Sequence, residues 1–504
     1  MFFNDFGPPV DCCIGLTLLL LILVILSWFR RTDPRLPPCP CKPWPVLGHM
    51  FLLKDNPRIQ LRKWRDTLGE VYSFYIGSTL VVVLNGYDVI KEALVKKADQ
   101  FSDRPSFYVD QIVGLPNRGI MAASGDCWRE QRSVTLSIVR TFGMGKNIMA
   151  EKMQEEIALF LKLLDSYGGH PVDIRVDTNM SISNVILSIL LGQRFEYDDP
   201  VFQKLITLMN ISITHVSGTS LLNFMPFLRY LPGDLFNAKK VKDYVNEMNE
   251  ILGVRYVKDK GYDNYDEDNI DNFIAAYVKE KNRKLKSGEQ TFLHDQDLIK
   301  IIVEMFGAGM ETTSSTILWC ILYTLHHPRV QDKIHQELDA AILGDRLPNI
   351  QDKTNLVYLN AVIMETQRLA STVPLSAPHL CSEDTTLRGF FIPKGTCILP
   401  NLDSVLLDEK IWGDDAKDFR PERFIDNNGC LLHPEELIPF SIGKRLCLGE
   451  SIAKMELFLY LSSLFQRYTF SPEIQGVPPK MTDIFGIVAV PGAYKVRMLK
   501  RQKK

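Results

Sequence analysis

The 504-residue chain predicts a mainly α-helical protein with small β-sheets, a single large domain preceded by an N-terminal transmembrane helix. Three observations predict it. Apolar residues recur at helical spacing from about 125 to 345, with few prolines in the periodic stretches and charge gathered on one face. Short β-branched and aromatic runs lie toward both ends of the body. An uncharged run dominated by leucine, isoleucine and valine, residues 12–29, is just long enough to cross a hydrocarbon core as a helix.

The elements follow in order. Asp5 and Asp11 precede the apolar run, and Trp28, Arg30 and Arg31 close it. The positive-inside tendency then puts the body in the cytoplasm. A cleaved signal would have the reverse charge order and small residues at its end, so residues 1–31 read as an uncleaved, single-pass anchor. Prolines at 37, 38, 40, 43 and 45 favour extended geometry over 32–48 and predict a stiff hinge. Residues 49–500 form the body. Runs at 71–76 and 80–84 read as two strands around Gly77-Ser-Thr, followed by a helix near 88–97. The charged stretch 258–268 reads as a solvated loop, and strand-like pieces return near 387–400, 487–490 and 494–498. Strands drawn from both ends favour one interleaved domain, although the length would permit two or three. With a cytoplasmic body, the N-x-S triplets at Asn179 and Asn210 should stay unglycosylated.

Composition excludes some classes of function. A net charge of −2 argues against nucleic acid as the main partner. Ten cysteines without a Cys-x-x-Cys pair indicate free thiols in a reducing compartment. Zinc is disfavoured, because the close pairs Cys12–Cys13 and Cys39–Cys41 have no evident histidine partner.

The most informative stretch is Phe440-Ser-Ile-Gly443-Lys-Arg445-Leu-Cys447-Leu-Gly449, followed at once by a helical run from Glu450. Turn amides and a helix start both stabilise negative charge on sulfur, so Cys447 suits a thiolate that accepts a metal from one side. Gly443 and Gly449 are expected to take backbone angles closed to other residues, letting the loop press against a planar ligand. Arg445 is placed to pair with an acidic group on that ligand. A buried structural cysteine is the bland reading. A second stretch, Phe306-Gly-Ala308-Gly309-Met-Glu311-Thr312-Thr313, lies in an apolar helix, where two interior glycines cost about 1 kcal/mol each against alanine. Such a helix needs close backbone approach or a local widening, and a plain packing groove would serve as well.

The first stretch resembles the haem-thiolate loop of the cytochrome P450 family, Phe-x-x-Gly-x-Arg-x-Cys-x-Gly, at every fixed position, and the second resembles that family's oxygen-binding helix. The resemblance runs from about 35 to 500. Stretches at 184–195, 224–233 and 377–396 resemble the microsomal family 2 group. It implies the cytochrome P450 fold, haem b (iron protoporphyrin IX) with Cys447 as axial thiolate, and a proton relay of Thr312 with Glu311 as its acidic neighbour. Glu365, Arg368 and Arg423 would form a network behind the loop, serving folding and haem retention. Arg104, Trp128, Arg132, His379 and Arg445 would hold the haem propionates, Trp128 and Arg132 being four apart on one helix face.

The implied activity is monooxygenation, insertion of one atom of O2 into a lipophilic fatty acid, steroid or xenobiotic. The substrate wall would draw on 107–115, 303–308, 373–377 and 484–487, which are mostly apolar. No flavin or nicotinamide site is evident, so electrons must come from outside. The resemblance implies NADPH-cytochrome P450 reductase, with cytochrome b5 as a second candidate, and an endoplasmic reticulum membrane. Arg129, Lys444, Arg445 and Lys454 are candidates for a reductase-facing surface. Two rival readings are a haem-thiolate isomerase or dehydratase needing no external electrons, and a non-enzymatic haem gas sensor. Retention of Glu311-Thr312 favours the monooxygenase.

Overall fold

The computed structural model describes residues 15, 33–53, 56–142, 147–258, 270–344 and 346–501. The helices of at least eight residues are α1 (Pro57–Leu68), α2 (Gly125–Thr141), α3 (Asn147–Asp165), α4 (Arg175–Leu191), α5 (Pro200–Thr219), α6 (Ala238–Asn249, continued by a π-helical stretch Glu250–Val257), α7 (Phe273–Ser287), α8 (Asp295–His326), α9 (Pro328–Ala341), α10 (Val357–Ala370) and α11 (Glu450–Arg467). The strands are β1 (Val71–Ile76), β2 (Thr79–Leu84), β3 (His379–Leu380), β4 (Thr385–Leu387), β5 (Phe390–Ile392), β6 (Cys397–Pro400), β7 (Tyr468–Pro472), β8 (Asp483–Ile484), β9 (Val490–Pro491) and β10 (Val496–Lys500).

The helical part is a bundle around α8, which packs on α4, α10 and α11. Its 32 residues are buried along most of the C-terminal half, where Ile317, Cys320, Ile321 and Leu322 are fully enclosed. A helix apolar all round belongs in a core, and here it is the axis of the main cluster. The sheet part is smaller. Strands order β1-β2-β6-β3, with β2 and β6 parallel and the other neighbours antiparallel. Two separate N-terminal and mid-chain segments therefore share one sheet. The C-terminal strands do not join it: β7 pairs with β10, and β8 with β9.

Several expectations need correction. The helix expected over 88–97 is Tyr87–Lys91, continued as a π-helix over Glu92–Lys96. The strand expected at 487–490 is reduced to β9, two residues paired with β8. Hydrogen bonds fix the proline-rich segment to the body, Ser73 N–H donating to Pro38 O and Ser73 Oγ to Pro37 O, each at 2.8 Å. The Cys39–Cys41 pair does have a histidine neighbour. His49 Nε2 lies 3.5 Å from Cys39 Sγ and 3.0 Å from Cys41 O, while His49 Nδ1 accepts the Tyr75 N–H at 3.0 Å. That leaves the proton on Nε2, and no metal-binding group of three is found among the described residues. Asn179 is buried and donates to Asn210 Oδ1, so it is closed to glycosylation whatever the topology. Apart from Gly15 the apolar run 12–29 lies outside the described residues, as does nearly all of the 258–268 loop. Among the described residues no helix is long and apolar enough to cross a membrane.

Candidate active site

Cys447 sits at the end of a turn that delivers the chain into α11. Its N–H donates to Phe440 O at 3.1 Å, closing the loop. The sulfur is exposed, yet burial is the main influence on its pKa and pushes the thiol up, as for a group facing an interior recess. Amides of Gly449 and Glu450 at the start of α11 pull the other way, together with the Arg132 guanidinium. Gly443 has φ +81°, and a Cβ there would overlap the Leu94 carbonyl oxygen. Gly449 differs: its φ is −88° and nothing lies within 4 Å of a Cβ, so no left-handed geometry is used. The glycine requirement at 443 comes from the neighbouring backbone.

Arg445 turns away from the sulfur. Its Nε, Nη1 and Nη2 donate to Ser102 O, Ile120 O and Ala123 O at 2.8, 3.0 and 2.5 Å, and its guanidinium lies 3.8 Å from the Trp128 ring centroid. It is buried, which removes it from any reductase-facing surface. Arg129, Lys444 and Lys454 are exposed, and each pairs with a local carboxylate, Asp126, Asp99 and Glu450.

Around Arg445 the described residues place two more guanidiniums without a carboxylate partner. Arg104 Nη1 donates to Ala377 O and Pro378 O, and Arg132 Nη2 to Leu446 O. Burial pushes all three guanidiniums down, with repulsion from Arg132 adding to it at Arg104 and repulsion from Arg104 and Arg132 adding to it at Arg445. His379 Nδ1 is 2.6 Å from Phe101 O, so it carries the proton, and burial with Arg104 and Arg445 holds the ring neutral. Three buried nitrogens here have no partner among the described residues: Arg104 Nε, Trp128 Nε1 and His379 Nε2. Arg104 Nε and Trp128 Nε1 are unpaired buried donors among uncompensated cations, which an anionic acceptor group satisfies, whereas His379 Nε2 on the neutral ring is an unpaired acceptor.

On α8, Thr312 Oγ1 donates to Ala308 O at 2.8 Å, and Ala308 is exposed while every other residue from 297 to 326 is buried or half-buried. Burial raises the Glu311 carboxyl, with Arg175 supplying the opposing charge. The two glycines are close-approach sites. A Cβ on Gly309 would come 2.5 Å from Ile186 Cδ1, and one on Gly307 2.9 Å from Met209 Sδ. The helix stays α-helical over both, so there is no widening.

Glu365 and Arg368 are each 0% exposed and joined by two bonds of 2.7 and 2.8 Å. Arg423 Nε reaches Glu365 Oε1 at 3.0 Å, and the Arg420 N–H donates to the same oxygen. Arg368 Nη1 and Arg423 Nη1 also donate to Leu406 O and Trp412 O, so the charges are bonded on several sides. Arg175 escaped sequence reading. Arg175 lies 136 residues before Glu311, and no local pattern links them.

The cytochrome P450 family model matches residues 37–498. The chain is 36% identical over 517 residues to human cytochrome P450 2U1, covering 97% of this chain and 94% of that protein. It is 36% identical over 492 residues to rat cytochrome P450 2D4 (95% and 96%), and 35% identical over 503 residues to dog cytochrome P450 2D15 (98% of each). The family carries haem with a cysteine thiolate axial ligand, and the residues here fit that group: an amide-supported thiol faces a recess, and orphaned donors and unpaired guanidiniums suit two propionates. The chain therefore belongs to the cytochrome P450 family, in a family 2-like group, and is an oxidoreductase of the monooxygenase type.

Proposed function

We propose that this protein inserts one atom of O2 into a lipophilic substrate, a fatty acid, steroid or xenobiotic, using electrons from NADPH through a membrane-bound cytochrome P450 reductase. Cys447 would hold the haem iron through its thiolate in this reading, and the haem would supply the oxygen-activating chemistry once bound. Arg104, Trp128, Arg132, His379 and Arg445 hold its propionates. An anion among them lifts the repulsion on His379, so its Nε2 can take up a proton and donate. Thr312 hands protons toward the recess from its hydroxyl, and Glu311 resupplies them. Burial keeps Glu311 above the usual carboxylate range, which favours proton uptake, while Arg175 limits the rise. Glu365, Arg368 and Arg423 keep the chain behind the Cys447 loop in place. Residues 1–31 anchor the 49–500 body to the endoplasmic reticulum through the 32–48 hinge.

The observation that carries this reading is the exposed Ala308 surface one turn before Thr312, at the only exposed position of α8 between residues 297 and 326. The test is turnover of full-length protein in reductase-containing vesicles with NADPH and isotopically labelled dioxygen. One labelled oxygen per product is expected, with Thr312→Ala giving at least about tenfold less product per NADPH, the scale of a lost proton donor. Product that forms without NADPH would replace the monooxygenase reading by an isomerase.

A further inference from the structure

Helix α1 grips the 403–408 segment at two points. Arg58 donates through Nε and Nη2 to both oxygens of Asp403, at 2.6 and 2.9 Å, and Arg65 Nη2 pairs with Asp408. The seven-residue spacing puts both guanidiniums on one helix face. The helix itself is fixed, because Leu61 and Trp64 are buried in one cluster with Tyr72 and Phe74 of β1, and the Tyr72 hydroxyl donates to Leu61 O at 2.9 Å. The third guanidinium nitrogen reaches elsewhere. Arg58 Nη1 donates at 2.9 Å to Asp483 Oδ2 on β8. Each carboxylate is joined to a different part of the expected substrate wall. The Asp403 N–H donates to Pro374 O at 3.2 Å, within 373–377. Asp483 opens the β8–β9 hairpin directly before 484–487, where Ile484 and Ile487 are exposed. The return side of the hairpin is tied down separately. The Ala489 N–H donates to Thr372 O at 2.8 Å, Trp319 Nε1 donates to Ala489 O at 3.0 Å, and Arg175 Nη2 donates to Pro491 O at 2.6 Å. The outgoing side has its two-residue ladder to β9 and, among the described residues, Arg58 as its ion-pair partner.

We propose that Arg58 is a positioning residue for substrate selection: clamped by Asp403, its guanidinium is a strut that sets where the 484–487 stretch stands relative to 373–377. The proposal rests on the reading of those two stretches as substrate wall. The ends of the strut are unequal. The Asp403 side chain is 8% exposed and meets the guanidinium through two bonds, so that end is fixed. The Asp483 side chain is 31% exposed and receives one bond, so that end yields first. Burial works against the Arg58 charge, and Asp403 followed by Asp483 outweighs it, so the guanidinium is held ionised. A single part-exposed pair adds little to global stability, so losing Asp483 leaves the fold and frees the wall. A ligand long enough to touch 484–487 must then order that stretch as it binds, and its affinity falls. A ligand confined to the haem iron does not sense the change.

The experiment uses the full-length holoenzyme, wild type beside Asp483→Ala, Arg58→Lys and the double variant, with a series of N-alkylimidazoles from methyl to dodecyl. Dissociation constants are read from the Soret shift, and amide hydrogen exchange of 482–492 is measured alongside. Asp483→Ala is expected to weaken dodecyl binding by at least about fivefold, to keep methyl binding within about twofold, and to speed exchange. Its thermal midpoint and carbon monoxide difference spectrum should match wild type. In Arg58→Lys one ammonium faces two carboxylates and the buried Asp403 takes it, so this variant should repeat the pattern, with the double variant no weaker than either. Asp483→Ala leaves the Arg58–Asp403 pair intact and decides the matter if Arg58→Lys fails to fold. Equal weakening along the whole series would make the pair merely structural and overturn the proposal, as would unchanged exchange. Faster exchange with unchanged affinity at every chain length would overturn it by removing 484–487 from the wall. The expected split in binding, with no NADPH-dependent product from any substrate, would uphold the strut and remove the monooxygenase reading instead.

Discussion

Gly443 and Gly449 bracket one thiol, and the same substitution at each should have different consequences. Alanine at 443 must hold φ near +81° and displace the Leu94 carbonyl, so we expect a loss of about 1–3 kcal/mol or more in denaturant unfolding. Alanine at 449 meets open space at φ −88° and should cost less than about 1 kcal/mol. Equal losses would contradict this account of the loop. The sequence marks both glycines alike, because a motif records residue type and not which neighbour presses on it. The same limit explains Arg445. Its place two residues before Cys447 is legible, but its bonds to Ser102, Ile120 and Ala123 depend on a segment more than 300 residues earlier in the chain.

The element scale shows where periodic pattern suffices and where it fails. Helix α8 is legible from its apolar run, and its glycines from their cost. Their reason, the approach of Ile186 from α4 and Met209 from α5, is tertiary. Two-residue strands such as β9 carry too few residues for a period-2 signal. The i, i+3 pair Glu365–Arg368 would be worth about 0.2–0.5 kcal/mol on a surface, but its apolar flanks in the sequence already point to burial. Enclosed between α10 and the 412–423 segment, it is a different object. Glu365→Gln leaves two buried guanidiniums without their shared carboxylate, and a loss of about 3–5 kcal/mol is expected. The measurements are the urea midpoint and the haem content of the purified protein. A variant as stable and as haem-replete as wild type would refute the structural role given to the network.

Across the whole molecule, buried acids make stability depend on pH. Glu456, between α8 and α11, accepts from Thr313 Oγ1 at 3.0 Å, and its other oxygen has no partner among the described residues. Burial lifts it to about 8 from an ordinary 4.5. The folded protein therefore binds a proton that the unfolded chain releases. This contribution is complete below about 4.5 and is lost as pH rises through about 8, with a slope of up to about 1.4 kcal/mol per pH unit. Unfolding free energy should fall over that window in wild type, and the fall should be shallower in Glu456→Gln. Identical slopes would place the proton elsewhere.

The central claim concerns one atom, and one spectrum tests it. The carbon monoxide difference spectrum of the dithionite-reduced full-length protein should show a strongly red-shifted Soret band, absent in Cys447→Ala. A band typical of histidine-ligated haem, or one that persists in the variant, would contradict thiolate ligation by Cys447 and the chemistry built on it.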